Sequence, residues 1–439
     1  MIVLILILVF FLPIQSVFSF CGFYVARADA TLYNNASRVV ITHNGDRTVT
    51  SMMNDYKGPL KEFAIVVPVP VVLQKDQIHI GESKIIDHLD AYSAPRLVEY
   101  FDPDPCRKPY KEDFFDRIKK SGKVNSSPPV TSEPKKDLGV TVEATYTVGE
   151  YDIQILSAKF SDGLEEWLTS NGYKLPKGAS KALEPYIKQK LKFFVAKVNL
   201  EEQTATGLTF LRPIQFAYES ERFMLPIRLG MINSNGPQEL LIYILSKNGR
   251  VETTNYRSVK LPSNLEVPGF VKNEFSDFYK AMFDYQSQKE KRKVVFTEYF
   301  WNMGWCDPCA ADPLTNQELQ SLGVFWLDNM DQMAPRVFIT RLHLSYTNET
   351  FPEDLFFQET NDTSNFQGRY IIQHPWKGNR NSCSAAENYF DQLYTREENR
   401  AKNLAHLTGW DINTIRSKMN INIMKTPEKK EAWWKKIWN

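Results

Sequence analysis

Ser37-Arg38-Val39-Val40-Ile41-Thr42-His43-Asn44-Gly45-Asp46-Arg47-Thr48-Val49-Thr50-Ser51-Met52-Met53 reads as two apolar strands joined by a tight turn. Asn-Gly between apolar runs signals a hairpin, because both positions tolerate positive φ. A sheet therefore starts near the N-terminus. The run from Phe63 to Val72 follows as a buried strand, and Pro68 and Pro70 within it lack backbone donors. That part of the strand must sit at an edge or a bulge. Arg96 to Phe101 is read as a short closing helix, so residues 21–120 form a strand-rich module.

Residues 121–139 interrupt this pattern. They combine Pro, Ser and charge with almost nothing to bury, which marks a polar linker or insertion. From residue 140 strands and helices alternate. Val142 to Ala158 reads as extended; Asp162 and Glu165 form a capping-box pair for a helix ending before Gly172. A helix over Ser180–Gln189 precedes strands at Leu191–Leu200, Thr206–Leu211, Phe223–Leu229 and Leu240–Ser246. Phe270–Tyr285 reads as helix, and Lys293–Trp301 and Arg336–Tyr346 as strands. Tyr389, Phe390, Leu393, Tyr394, Ala401, Leu404 and Ala405 recur at helical spacing over residues 384–408, with Gly409 as the stop and Asp411 as a further cap. The expected fold is α+β, with mainly antiparallel sheets, interspersed helices and a helical C-terminal region. An α+β domain over 140–300 is followed by a Cys-x-x-Cys-containing region over 301–439.

The bulk numbers bound the function. Hydrophobic residues are 43% and charged residues 24% of the 439, an ordinary globular balance. Lys plus Arg is 53 against 52 for Asp plus Glu, so there is no basic excess of the kind that tracks phosphates, and nucleic acid is not an expected partner. Ile2 to Leu12 is an unbroken apolar run, closed by Pro13 and then by Val17 and Ser19 at small-residue cleavage positions. Eleven residues suit a signal peptide over 1–20 better than a membrane span, which needs about 20. An uncleaved anchor is the alternative. Export to the periplasm, cell envelope or exterior is expected, with no transmembrane helix in the mature chain.

The segments Cys21-Gly22-Phe23-Tyr24, Ile65-Val66-Val67-Pro68-Val69-Pro70 and Val148-Gly149-Glu150-Tyr151-Asp152-Ile153 resemble the bacterial family catalogued as domain of unknown function 2330. So do Gly163-Leu164 through Trp167-Leu168 to Asn171-Gly172-Tyr173, the block from Trp305-Cys306 to Pro313-Leu314, and Leu407-Thr408-Gly409-Trp410-Asp411-Ile412. The resemblance implies exported bacterial proteins and supplies no activity, cofactor or catalytic residue.

Cys21, Cys106, Cys306, Cys309 and Cys383 carry the richest chemistry. In an oxidising compartment they read first as structural disulfides. Two bridges and one thiol can be drawn among five cysteines in fifteen ways; Cys306–Cys309 and Cys21–Cys106 are two pairings to consider. The second reading is a thiol–disulfide oxidoreductase built on Trp305-Cys306-Asp307-Pro308-Cys309, one residue from a Trp-Cys-Gly-Pro-Cys redox motif. A helix opening at Cys306 would lower its pKa, and Cys309 would resolve the mixed disulfide. Against it, residues 310–334 are too few for the helix, strand and helix that normally precede the facing proline, here Pro335. The third reading is structural zinc held by Cys306, Cys309, His374 and Cys383.

The tail Trp433-Trp434-Lys435-Lys436-Ile437-Trp438 reads as a docked terminus, with weak membrane-surface contact through Trp433, Trp434 and Trp438 as the alternative. No nucleophile elbow, dinucleotide fingerprint, phosphate loop or zinc-protease motif occurs in the sequence. The expected function is a non-catalytic binding or cell-envelope protein, stabilised by disulfides and without a cofactor, for an unknown protein or envelope ligand.

Overall fold

The computed structural model describes residues 23–26, 36–53, 63–107, 139–171, 173, 175, 178–199, 201–202, 211–233, 236–305, 307, 312–327 and 335–421. Strands are numbered in chain order. The largest sheet runs β14 (Arg257–Lys260), β16 (Val294–Asn302), β17 (Phe338–Tyr346), β12 (Gln238–Ser246), β2 (Ala36–Asn44), β3 (Arg47–Met53), β10 (Ile214–Glu219), β5 (Ile78–Ile80), and β19 (Phe366–Gln367) pairs with β16. A second sheet runs β1 (Phe23–Ala26), β4 (Phe63–Val69), β9 (Lys192–Val198), β8 (Tyr151–Ala158), β7 (Val140–Val148). Two three-stranded sheets complete the set: β11 (Met224–Leu225), β18 (Leu355–Glu359), β13 (Val251–Thr253), and β15 (Leu265–Glu266), β20 (Arg369–His374), β6 (Arg96–Phe101). The helices are α1 (Ser83–Ser93), α2 (Ser161–Ser170), α3 (Ala179–Lys188), α4 (Phe275–Lys289), α5 (Asn316–Ser321), α6 (Ser384–Thr408) and α7 (Ile412–Lys418).

The fold is α+β; most strand pairs are antiparallel, as expected, but the sheets are mixed, not antiparallel throughout. β2 runs parallel to β12, β14 to β16, and β20 to both β15 and β6. Parallel neighbours need long crossovers, so local turn signals could not reveal them. One sheet also takes strands from the stretches 21–120, 140–300 and 301–439.

Four layers result. Val39, Ile41, Leu240, Ile242, Ile244 and Leu342 of the large sheet pack on Ile65, Val67, Ile153, Ile155, Phe194 and Ala196 of the second sheet. On the far side of the second sheet, Val66, Leu156, Phe193 and Val195 meet Leu164 and Leu168 of α2 and Leu183 and Tyr186 of α3. Beyond the large sheet, Val40, Tyr243, Leu245 and Ile339 meet Ile85, Ile86 and Leu89 of α1. Strands covered on both faces lose the apolar–polar alternation, hence the continuous run Val39-Val40-Ile41. A fourth cluster joins α4, α6 and α7 to Tyr370 and Ile372 of β20.

The hairpin forms as expected, with Asn44 paired to Arg47 and Gly45 at φ 70° in the two-residue turn. Asn44 ends the strand instead of entering the turn. β4 lies between β1 and β9, with Pro68 opposite Phe193 of β9; its described pairs with β1 run from Phe63 to Val66, and the residues preceding Phe23 lie outside the described residues. Arg96–Phe101 is a strand, not a helix, because parallel pairing with β20 supplies its backbone partners. The Asp162–Glu165 capping box does not form: Phe160 is the N-cap of α2, and Asp162 accepts from the Ser180 hydroxyl at 2.7 Å. Only Met224–Leu225 of the expected strand over Phe223–Leu229 is extended, and most of Thr206–Leu211 lies outside the described residues.

α6 runs over Ser384–Thr408 as its periodicity requires, and Gly409 closes it at φ 72°. A Cβ there would meet the Tyr285 ring at 2.7 Å. Gly409→Ala adds this clash to a left-handed penalty of about 1–2 kcal/mol. Urea denaturation should show at least that loss; an unchanged midpoint would contradict the packing of α6 against α4.

Candidate functional site

The cysteine chemistry lands at the junction of the N-terminal and C-terminal parts. Cys106 is bonded to Cys383 across 277 residues, with Cα atoms 6.0 Å apart. The Cys21–Cys106 pairing therefore does not form, since Cys106 has one sulfur. The zinc set likewise loses Cys383, because a disulfide sulfur is not a thiolate ligand. His374 is committed elsewhere: its Nε2 lies 2.7 Å from Glu99 Oε2, and its ring stacks on Phe101 at 4.5 Å. Among the described residues no group of three or more His, Cys, Asp or Glu side chains is placed to hold a metal.

A polar clamp flanks the bridge. Asp102, which follows β6, accepts from Gln373 Nε2 at 2.8 Å and from the Tyr389 hydroxyl at 2.5 Å, and it is ion-paired with Arg396. Burial would raise the Asp102 pKa, but these donors hold it below the usual carboxylate range. Cys383 is the N-cap of α6, its sulfur 3.4 Å from the Ala386 N–H. Cys106 is exposed and Cys383 half-buried.

Cys21, Cys306, Cys309, Trp433, Trp434, Trp438 and the expected signal peptide over 1–20 lie outside the described residues. Asp307, between the paired cysteines, is described. Its Oδ2 accepts from Tyr299 at 2.9 Å and Gln367 Nε2 at 2.7 Å, which anchors Asp307 beside the end of β16. Further on, His88 of α1 places Nδ1 2.9 Å from Glu318 Oε1 and Nε2 2.8 Å from the Asp312 carbonyl. Both partners are obligate acceptors, so the full set of bonds needs the imidazolium. Burial opposes that charge, but the bonds to Glu318 and Asp312 raise the His88 pKa.

The densest set of titratable groups is one that sequence reading missed. Between Thr297 and Tyr299 the β16–β17 register shifts, and Glu298 is the extra residue. A bulge of this kind aims consecutive side chains at one face. Glu298 thus faces two cations of β17: its carboxylate accepts from Arg341 Nε at 2.7 Å and lies 2.8 Å from His343 Nδ1. The Tyr279 hydroxyl of α4 donates to the same carboxylate. Arg341 also binds Asp90 of α1 at 2.5 Å, and the Tyr243 hydroxyl donates to Asp90 at 2.7 Å. Phe283 of α4 stacks on His343 at 3.5 Å. Gly368 makes room at the bulge: its N–H donates to the Glu298 carbonyl at 2.7 Å, and a Cβ there would come within 2.9 Å of that oxygen. The detectable signal was the pair Arg341 and His343, two residues apart in an otherwise apolar strand.

Glu298 is wholly inaccessible and His343 nearly so, so the cluster clamps α1 and α4 to the sheet and is shut to a substrate. An open groove of about 550 Å³ lies elsewhere, between β3, β10 and Phe325, lined by Arg47, Thr48, Tyr218 and Glu219 among others. No Cys or His lines it.

Burial would raise the Glu298 pKa, but His343 and Arg341 bring it down to about 2. Burial would lower that of His343, but Glu298 raises it. Glu298 therefore contributes stability above its unfolded value of about 4.3, lost as pH falls toward 2. His343 contributes below about 6.5, lost as pH rises through its folded value. The cluster is fully stabilising between those limits. Glu298→Gln removes the carboxylate shared by Arg341 and His343, leaving Arg341 with Asp90 alone, and should cost up to about 3 kcal/mol. In urea titrations over pH 3–9 the wild-type advantage should be greatest at mildly acidic pH; a pH-independent difference would refute the assignment.

A model of the family described as uncharacterized protein conserved in bacteria (domain of unknown function 2330) matches residues 15–358. The match contains Cys106 and the Cys306–Cys309 motif, and it stops before Cys383 and the Leu407–Ile412 segment. No curated protein and no solved structure matches the chain. With most of its length under that one family model, the chain belongs to this family of proteins conserved in bacteria.

Proposed function

We propose that the protein is an exported, non-catalytic scaffold that binds a protein or envelope ligand and is locked by a disulfide. The supporting observation is the Cys106–Cys383 bridge, which joins the turn after β6 to the N-terminus of α6 across 277 residues. Structural bridges persist in oxidising compartments, and reducing cytosols keep such thiols free. The apolar leader over 1–20 and the near-zero net charge agree with that compartment and with a partner other than nucleic acid. The most concentrated chemistry among the described residues, around Glu298, is sealed and serves cohesion. No described helix is long and apolar enough to cross a membrane.

The test is a thiol inventory of the full chain recovered from its native host without reductant. After alkylation, peptide masses should show Cys106 and Cys383 joined and the protein in the exported fraction. Cys106→Ser should lower stability by about 2–4 kcal/mol, the usual worth of a long-loop bridge. A cytoplasmic protein with free Cys106 and Cys383 would overturn the proposal. So would turnover of a disulfide substrate that disappears in Cys306→Ser, which would establish the oxidoreductase reading in its place.

A further inference from the structure

The bridge is asymmetric, and the asymmetry has chemical content. Cys106 is exposed, with its backbone N–H donating to Asp104 Oδ1 at 2.9 Å. Cys383 is half-buried and caps a 25-residue helix, its sulfur accepting from the Ala386 N–H. The helix dipole and that N–H both favour a thiolate at Cys383. Cys106 has a carboxylate beside it instead. Asp104 is ion-paired with the exposed Arg107 at 3.8 Å, and the acid in the first turn of α6, Glu387, is exposed.

A second observation concerns what happens if the bridge opens. Asp102 joins the end of β6 to Tyr389 and Arg396 of α6, and its N–H donates to the His374 carbonyl at 2.9 Å. β6 and β20 stay paired from Arg96–Arg369 to Phe101–His374. The same junction is therefore held twice, once covalently at an exposed turn and once by a partly buried polar clamp. A bond whose loss leaves its surroundings in place can cycle without unfolding the protein.

We propose that Cys106–Cys383 is a reversible thiol switch opened by an external thiol, with Cys106 as the sulfur attacked and Cys383 as the leaving thiolate. The incoming thiolate forms a new S–S bond to Cys106 as the Cys106–Cys383 bond breaks, and the electron pair departs on Cys383. A second external thiolate then attacks the mixed disulfide at the external sulfur. It expels Cys106 as a thiolate and leaves the reductant as its own disulfide. Two electrons and two protons pass to the two cysteines. The regulated element is the turn from Pro103 to Arg107, which is tethered to the α6 N-terminus in the oxidised state and untethered in the reduced one. The inference rests on the disulfide of the scaffold reading and adds a control to it.

The experiment uses the full oxidised chain and glutathione as the probe. Brief exposure to reduced glutathione, acid quench and peptide mapping should place the glutathione adduct on Cys106 several-fold more often than on Cys383. After full reduction, near-UV circular dichroism should remain native. In single variants, Cys383 of Cys106→Ser should alkylate with its half-maximal rate at a lower pH than Cys106 of Cys383→Ser. An adduct mainly on Cys383, an equal split, or loss of the native signal on reduction overturns the switch while leaving the structural bridge intact. Absence of the bridge in the isolated protein overturns the scaffold reading itself.

Discussion

The extra residue at Glu298 is the constraint on which the arrangement around the large sheet turns. By breaking the β16–β17 register it lets Glu298 and Tyr299 both face the side occupied by α1 and α4. A carboxylate with no solvent access then sits under Arg341 and His343, and each partner is tied outward, to Asp90 on α1 and to Phe283 on α4. Buried charge of this kind adds little net stability compared with apolar packing, and its loss from one side is costly. Its effect is positional: α1 and α4 can dock in one orientation only, because any other strands a charge in an apolar layer.

Much of the secondary structure was legible because it depends on local signals. The period of α6, the Gly409 stop and the Gly45 turn follow from helical spacing and left-handed backbone. What could not be read depends on distant partners. Arg96–Phe101 has the composition of either element, and β20, some 270 residues away, decides for a strand. The β2–β12 parallel contact joins residues about 200 apart, with no turn between them to announce it. The Asp162 capping expectation failed because Ser180 supplied a competing donor. Of the candidate cysteines, Cys106 and Cys383 are bonded to each other through the β6–β20 pairing, which brings residue 106 to the α6 N-terminus; Cys21, Cys306 and Cys309 lie outside the described residues. Glu298 was invisible since a bulge is a property of two strands together.

The C-terminal helix is more than a terminal cap. α6 supplies Cys383, Tyr389 and Arg396 to the β6 junction, and Leu404 and Leu407 to the core it shares with α4. The family match ends at residue 358, before this helix, so the covalent and polar attachments of β6 are made by a part of the chain beyond the matched segment.

The central position of β2 has a kinetic consequence. Its neighbours are β3, a few residues on, and β12, which begins at Gln238; β17, which completes that centre, ends at Tyr346. An isolated hairpin is at best marginal in water, and the centre of the large sheet is complete only when more than three-quarters of the chain is present. Pairings of such long sequence separation are slow to form, and unpaired strands are exposed to aggregation while they wait. The centre of the large sheet therefore closes late, after every strand of the second sheet, the last ending at Val198, is already present.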